Sequence, residues 1–332
     1  MATQLEAPLD IWSVLSESKR IINAHSRHFL ALSVIFLLPL SFSLIVYPTL
    51  QELLNDSLIN PTPRFLLRFS FLDQPITKNT IFLSLVYSSF VLIFSLCALG
   101  TISYSVFHGF YGRPVKFISA IKSLFISFFP LLVTVIVSQI IVFLITLVFG
   151  ILVYLVIRGI ELLGFRFEYT SPFFLGFCAV FVLALLFLLV YLQVNWTLVA
   201  VIVVVESSWG LEPLRRSTSL IKGMKGVALS SLLFFGFLAG ILMWSSTVSK
   251  MQYDGTNDWW KSWAFVVQIV MTSTFLMLLL LYNTAANTVL YMYCKAIHGE
   301  LALDIAQEFA REYVSLPFDD GNVPHVVSVF HV

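Results

Sequence analysis

Few residues in this chain are equipped for chemistry. Glu206 stands shortly before Arg215 and Arg216, and a carboxylate so placed reads as a local ion pair or helix-end contact rather than a proton-coupling group. His25 and His28 are three apart, a spacing at which one helix turn offers two imidazoles to a metal. No third ligand stands near them, so no metal site is expected. Gln139, Gln193, Asn195, Gln268, Asn283 and Asn287 place neutral amides in otherwise apolar sequence, and Asn283 and Asn287 share one helix face. In lipid such amides join helices by hydrogen bonds. Alternatively, with Tyr282, Thr284 and Thr288, they line a polar cavity for a lipid headgroup or small solute. There is no Gly-rich phosphate loop, His-Glu-x-x-His, Cys-x-x-Cys or nucleophile elbow. The chain is therefore expected to have no catalytic residues, no metal and no cofactor, and not to be an enzyme.

The elements that position these residues follow from composition. Apolar residues make up 59% of the chain and charged ones only 11%, against about 25% charged in soluble proteins. Lipid is therefore the solvent for most of it. Six runs are long enough to cross the ~30 Å hydrocarbon core as self-satisfied helices: about 29–48, 80–104, 124–157, 172–205, 227–248 and 262–290. The fold class is all-α, a polytopic membrane domain over 29–290 between a segment at 1–28 and a helix and tail at 291–332. The third and fourth runs exceed a perpendicular crossing, so tilt or projecting ends are expected, and Pro130 is a candidate start for the third span. The first 28 residues are polar and lack the apolar core of a signal peptide, so the first span is expected to be its own insertion signal.

A basic stretch opening near Pro8, Pro114 and Pro213 introduces each pair of runs, which gives three tandem hairpins. Each stretch reads as an amphipathic helix. The first sets Ile11, Trp12, Leu15, Ile22 and Phe29 against Glu17, Lys19, Arg20, Asn23 and Arg27. The second sets Phe117, Ile118, Ile121, Leu124 and Phe125 against Lys116, Ser119 and Lys122. The third sets Leu211, Leu214, Ile221 and Met224 against Arg215, Arg216, Ser219, Lys222 and Lys225. They are either elbows between hairpins or contacts with the anionic leaflet. In the second reading Lys19, Arg20, Lys116, Lys122, Arg215, Arg216, Lys222 and Lys225 touch the membrane surface.

Net charge is +1, which gives no reason to expect direct nucleic-acid binding. A cytosolic amino terminus puts the larger share of Lys and Arg on the cytosolic side, so both termini are expected there, in an endomembrane or plasma membrane. Trp259, Trp260 and Trp263 then mark the opposite interface. Asn55-Asp56-Ser57 is a glycosylation sequon in the first outer loop, whereas Asn195-Trp196-Thr197 lies inside a span. Cys294, just past the last run, reads as a buried or idle thiol, with palmitoylation as the alternative. Beyond it, Glu300, Asp304, Glu308 and Glu312 form an acidic stripe beside Leu301, Ile305, Phe309 and Tyr313. That face suits the protein's own basic elbows or a basic cytosolic protein partner.

The segment Glu206-Ser207-Ser208-Trp209-Gly210-Leu211-Glu212-Pro213-Leu214-Arg215-Arg216-Ser217, with Lys222-Gly223 after it, resembles a signature of six-span membrane proteins. There an acidic residue closes the fourth span before a Gly, a Leu-Arg-Arg-Ser turn and a basic-Gly pair. Thr288-Val289-Leu290-Tyr291-Met292-Tyr293-Cys294-Lys295 is similar to the closing Tyr-plus-basic segment of the same proteins. These include bacterial YciC-like proteins and the membrane domain fused to some glycerophosphodiester phosphodiesterases. Over its length the chain resembles uncharacterised plant multipass proteins, some labelled polyadenylate-binding protein-binding protein. The resemblance implies a six-helix membrane fold and brings no catalytic residue. Sequence thus leads to a non-enzymatic multipass protein that organises membrane or partner proteins through its basic helices and acidic tail. The alternative is a carrier or scramblase-like protein for a lipid or small neutral solute.

Overall fold

A computed structural model describes residues 10–56, 78–113, 115–162, 172–253 and 263–302, and among them every regular element is a helix. Six stretches are long and apolar enough to cross a membrane: Ser26–Pro48, Ile81–Phe110, Phe117–Ile160, Gly176–Glu206, Lys225–Ser245 and Trp263–Ile297. The chain is an integral membrane protein of six spanning helices. In chain order the elements are α1 (Ile11–Ala24), α2 (Ser26–Leu32), a π-turn (Ser33–Leu37), α3 (Leu38–Asp56), α4 (Lys78–Phe110) and α5 (Phe117–Leu162). They continue with α6 (Pro172–Asn195), α7 (Val199–Glu206), α8 (Glu212–Leu220), α9 (Lys225–Tyr253) and α10 (Trp263–Ile297).

Many hydroxyls inside the spans are satisfied within their own helix, which suits a medium without water, although Ser103 Oγ and Ser273 Oγ are buried without a partner. Ser89 Oγ donates to Leu85 O at 2.9 Å, Thr146 Oγ1 to Val142 O at 2.9 Å and Thr274 Oγ1 to Val270 O at 2.8 Å. Each such bond closes within one turn of its own helix, so it asks nothing of a neighbouring span.

Two joints differ from the sequence expectation. The second introductory stretch is no helix of its own but the first turns of α5, which runs unbroken through 46 residues. Nothing between Lys122 and Pro130 stops a helix, and Pro130 is accommodated within it. At 1.5 Å per residue α5 is about 69 Å long, roughly twice the hydrocarbon thickness. Conversely, the fourth run is not continuous: Trp196, Thr197 and Leu198 form a turn between α6 and α7.

The core is densest at one end, and α3, as far as Ile45, and α10, with Phe265, Thr272, Ser273 and Leu276, carry burial beyond it. Residues 135–160 of α5 include no buried side chain, and on α4 burial begins only at Leu96. On α6 the described side chains before Val194 are all at least partly exposed, and α9 buries Ala228, Ser231 and Phe235 near its start. At the end where α1, α8 and the close of α10 meet, Val14, Ile21, Ile102, Val106, Ile202, Leu220, Ile221, Val289 and Tyr291 form one cluster. We call this the elbow end. Lipid explains the taper: acyl chains are as apolar as Leu, so the far halves of the spans gain little by touching each other. Packing concentrates where polar groups must be matched.

Candidate functional site

The turn from α7 to α8 sets the geometry of the elbow end. Ser207 adopts a left-handed conformation (φ 52°) that ends α7, and Gly210 (φ 76°) reverses the chain into α8. The Gly210 amide donates to Thr134 Oγ1 of α5 at 3.1 Å, which pins the turn to the long helix. α8 then buries Pro213, Leu214, Ser217 and Leu220. Residues on its other faces are left to meet charge or solvent.

A clamp of three elements results. Arg216 Nε lies 3.4 Å from Glu206 Oε2 at the end of α7, and its Nη2 donates to Glu300 Oε2 just past α10. The hydroxyl of Tyr291, a wholly buried residue of α10, donates to Glu206 Oε1 at 2.8 Å. Lys295 Nζ sits 5.6 Å from the centre of the Tyr291 ring, within cation–π range. Burial works against the charge on Arg216. The hydrogen bond to Glu300 and the charges of Glu206 and Glu300 outweigh it, and its pKa is held above the ordinary guanidinium value. Both oxygens of Glu206 are therefore engaged, and this carboxylate ties α7 to α8 and α10.

The α6–α7 break is held by the same small helix. Ser217 Oγ donates to Asn195 O at 2.6 Å, capping a carbonyl at the end of α6, and Asn195 Nδ2 donates to Tyr191 O at 2.8 Å. Asn195 is 3% exposed and its Oδ1 has no partner. It joins α6 to α8, and the acceptor residue of its sequon is itself buried. Gln193 is exposed, whereas Asn283 and Asn287 are half-buried on α10. Gln268 Nε2 donates to Ser245 O at 3.3 Å.

The basic residues divide by environment. Lys19, Arg20, Lys116 and Lys122 are exposed, and Arg20 pairs with Glu17 at 2.5 Å along α1. The buried side of α1, with Val14, Ile21 and Ile22, packs into the protein core, while Trp12 is 69% exposed. Lys225 lies 5.2 Å from the Tyr191 ring centre. Arg215 and Lys222 line an open groove of about 350 Å³ with Ile141, Trp196, Leu211, Leu214, Thr218 and Ser219. Arg216, predicted with them at the membrane surface, is committed to Glu206 and Glu300.

Among the described residues no three His, Cys, Asp or Glu side chains come together as a metal site. His28 Nε2 is instead 3.0 Å from Ser105 Oγ. Of the two readings of Cys294 the buried thiol holds and palmitoylation does not: the side chain is fully buried and packs on Met224 Sδ at 3.8 Å. Asn55 falls in the last turn of α3, while Ser57 of its sequon lies outside the described residues, as do Trp259, Trp260, Asp304, Glu308 and Glu312. Trp263 opens α10 and is highly exposed. Sequence reasoning missed Tyr291 as the partner of Glu206, although the closing Tyr-plus-basic segment already singled it out.

Comparison with known proteins adds one finding. A family model described as a domain of unknown function, DUF8558, matches residues 4–320. No curated protein and no solved structure matches the chain.

Proposed function

The chain belongs to the DUF8558 family, and we propose that it is a non-enzymatic membrane organiser working from its elbow end. In this reading the elbow end faces the cytosol in an endomembrane or plasma membrane, with both termini on that side. There it gathers anionic lipid through Lys19, Arg20, Lys116, Lys122, Arg215, Lys222 and Lys225, and receives a basic cytosolic protein on the acidic segment of sequence that starts at Glu300. The single observation carrying the proposal is that the packed core and the exposed cations share one end of the spans. A rigid head beside a charged leaflet presents fixed charge, at about 1 kcal/mol per basic residue near an anionic surface. The excess of Lys and Arg predicted for this side supports the orientation.

A carrier for a neutral solute is less well supported, because Asn195 is 3% exposed and its amide nitrogen is committed to Tyr191 O of its own helix. The test is reconstitution of the full-length protein in nanodiscs of phosphatidylcholine with one-fifth phosphatidylserine, followed by analysis of the lipids retained on extraction. Enrichment of phosphatidylserine that is lost when the seven cations become Gln is the expected result. Retention in bulk proportion by the unmodified protein would sink the proposal.

A further inference from the structure

Arg215 and Arg216 are adjacent in sequence and opposite in circumstance. Two carboxylates hold Arg216. Arg215 of α8 and Lys222 of the turn that follows it have no carboxylate partner among the described residues, and both border the groove. Two cations left uncompensated beside one cavity call for an anion.

The remaining walls say which kind. Ile141 of α5, Trp196 of the α6–α7 turn, and Leu211 and Leu214 around α8 make the other side of the groove apolar. Thr218 and Ser219 already donate their hydroxyls to Leu214 O and Arg216 O, each at 2.8 Å, so positive charge dominates recognition. The groove stands beside the ends of two spans: Lys222 lies in the turn at 221–224 that leads into the apolar run of α9, and Lys225 at the start of α9 sits over Tyr191 near the end of α6. A wholly soluble anion has no use for the apolar wall, and a neutral lipid has none for the charge pair.

We propose that this groove binds one phospholipid bearing a phosphomonoester headgroup. Arg215 and Lys222 hold the dianionic phosphate, while Trp196, Ile141 and Leu211 pack against the glycerol and the first acyl carbons. The proposal rests on the organiser reading for the side of the membrane involved, and specifies it from a diffuse charge attraction to one stoichiometric site.

Native mass spectrometry of the full-length protein in detergent, titrated with phosphatidic acid or phosphatidylcholine, tests it. One phosphatidic acid per chain should bind in preference to phosphatidylcholine. The double variant R215Q/K222Q should weaken that binding tenfold or more, R215K should retain most of it, and L211S should weaken it severalfold. The equally basic but distant pair K19Q/K122Q should change it less than twofold. Equal losses from the two double variants would replace the groove with diffuse leaflet attraction, overturning this proposal while leaving the organiser reading intact. Phosphatidylcholine binding as tightly as phosphatidic acid would overturn it as well. Displacement by millimolar glycerol 3-phosphate or inorganic phosphate would reassign the groove to a soluble anion. Loss of phosphatidylserine enrichment in the nanodiscs with phosphatidic acid still bound would sink the organiser reading alone. Thermal unfolding of each variant separates lost binding from lost folding, and R215K keeps the test decisive if R215Q/K222Q does not fold.

Discussion

Tyr291→Phe should loosen the elbow end by about tenfold. The phenol is wholly buried and gives its hydrogen bond to Glu206 Oε1 at 2.8 Å, and a hydrogen bond to an ionised group contributes about 1.5–3 kcal/mol. The Glu206 side chain is 24% exposed, so water recovers part of that loss and the low end applies, about 1.5 kcal/mol. At roughly 1.4 kcal/mol per factor of ten, the opening equilibrium rises about tenfold. Arg216→Gln removes contacts to two partly exposed carboxylates at once. At about 1 kcal/mol for each pair, it should raise opening about thirtyfold. Both changes act on the same carboxylate, so their double variant should depart from additivity by about 0.5 kcal/mol or more.

Cys294 provides the readout. It is buried against Met224 in the same core and is inaccessible to a thiol reagent until the elbow end opens. In a Cys97→Ala/Cys178→Ala background, its labelling rate by a thiol-reactive fluorophore follows the opening equilibrium when reclosing outpaces labelling. Rates of about ten and thirty times the parent are expected for the two single variants. Unchanged labelling in both, with the parent itself slow, would refute the clamp: the elbow end would then be held by apolar packing alone.

Three further outcomes follow from particular contacts. Ser217→Ala strips the partner from the Asn195 carbonyl at a fully buried site and should cost about 1–3 kcal/mol, read as a lower thermal midpoint in detergent. Gly109→Ala would bring a Cβ to 2.9 Å of Ile21 Cγ2. It should therefore detach α1 and lower the midpoint, and Ile21→Ala on top of it should recover part of the loss instead of adding to it. Gly223 has φ +98°, and Gly223→Val should destabilise by about 1–2 kcal/mol, measured in the same melt, whereas Gly226→Ala, with open space around it, should be nearly silent.

The six spans were legible because a bilayer demands long apolar runs and nothing else on the chain can substitute for them. The joints were less legible, because a helix boundary inside apolar sequence depends on partners far along the chain. The Asn195 carbonyl is free to leave the helix ladder because Ser217 caps it, and no local residue signals that. At the start of α5 the basic stretch has the period of an elbow, but without a stop signal it simply continues into the span. The clamp was half legible: Glu206 and the Arg pair are neighbours in sequence, whereas Tyr291 and Glu300 arrive from 85 and 84 residues away. The acidic stripe beginning at Glu300 gave a usable signal, since an acidic face beside basic elbows has an obvious counter-charge. For Cys294, position along the chain places the residue near the membrane surface, and only packing decides between a buried thiol and an accessible one.

The Arg215-Arg216 pair shows how one dipeptide can serve structure and recognition together. Successive residues of an α-helix point about 100° apart. Once Leu214, Ser217 and Leu220 turn inward, the two guanidinium groups cannot share a face. The inward-leaning one is neutralised by carboxylates from α7 and from beyond α10, and an uncompensated charge there would be costly. The outward-leaning one needs no such partner, because it stands where water or a headgroup can reach it. Exchanging the charges therefore has opposite consequences at the two positions: Arg216→Glu sets three carboxylates together and should unfold the elbow end. Arg215→Glu should leave the fold intact and abolish preference for a phosphorylated lipid.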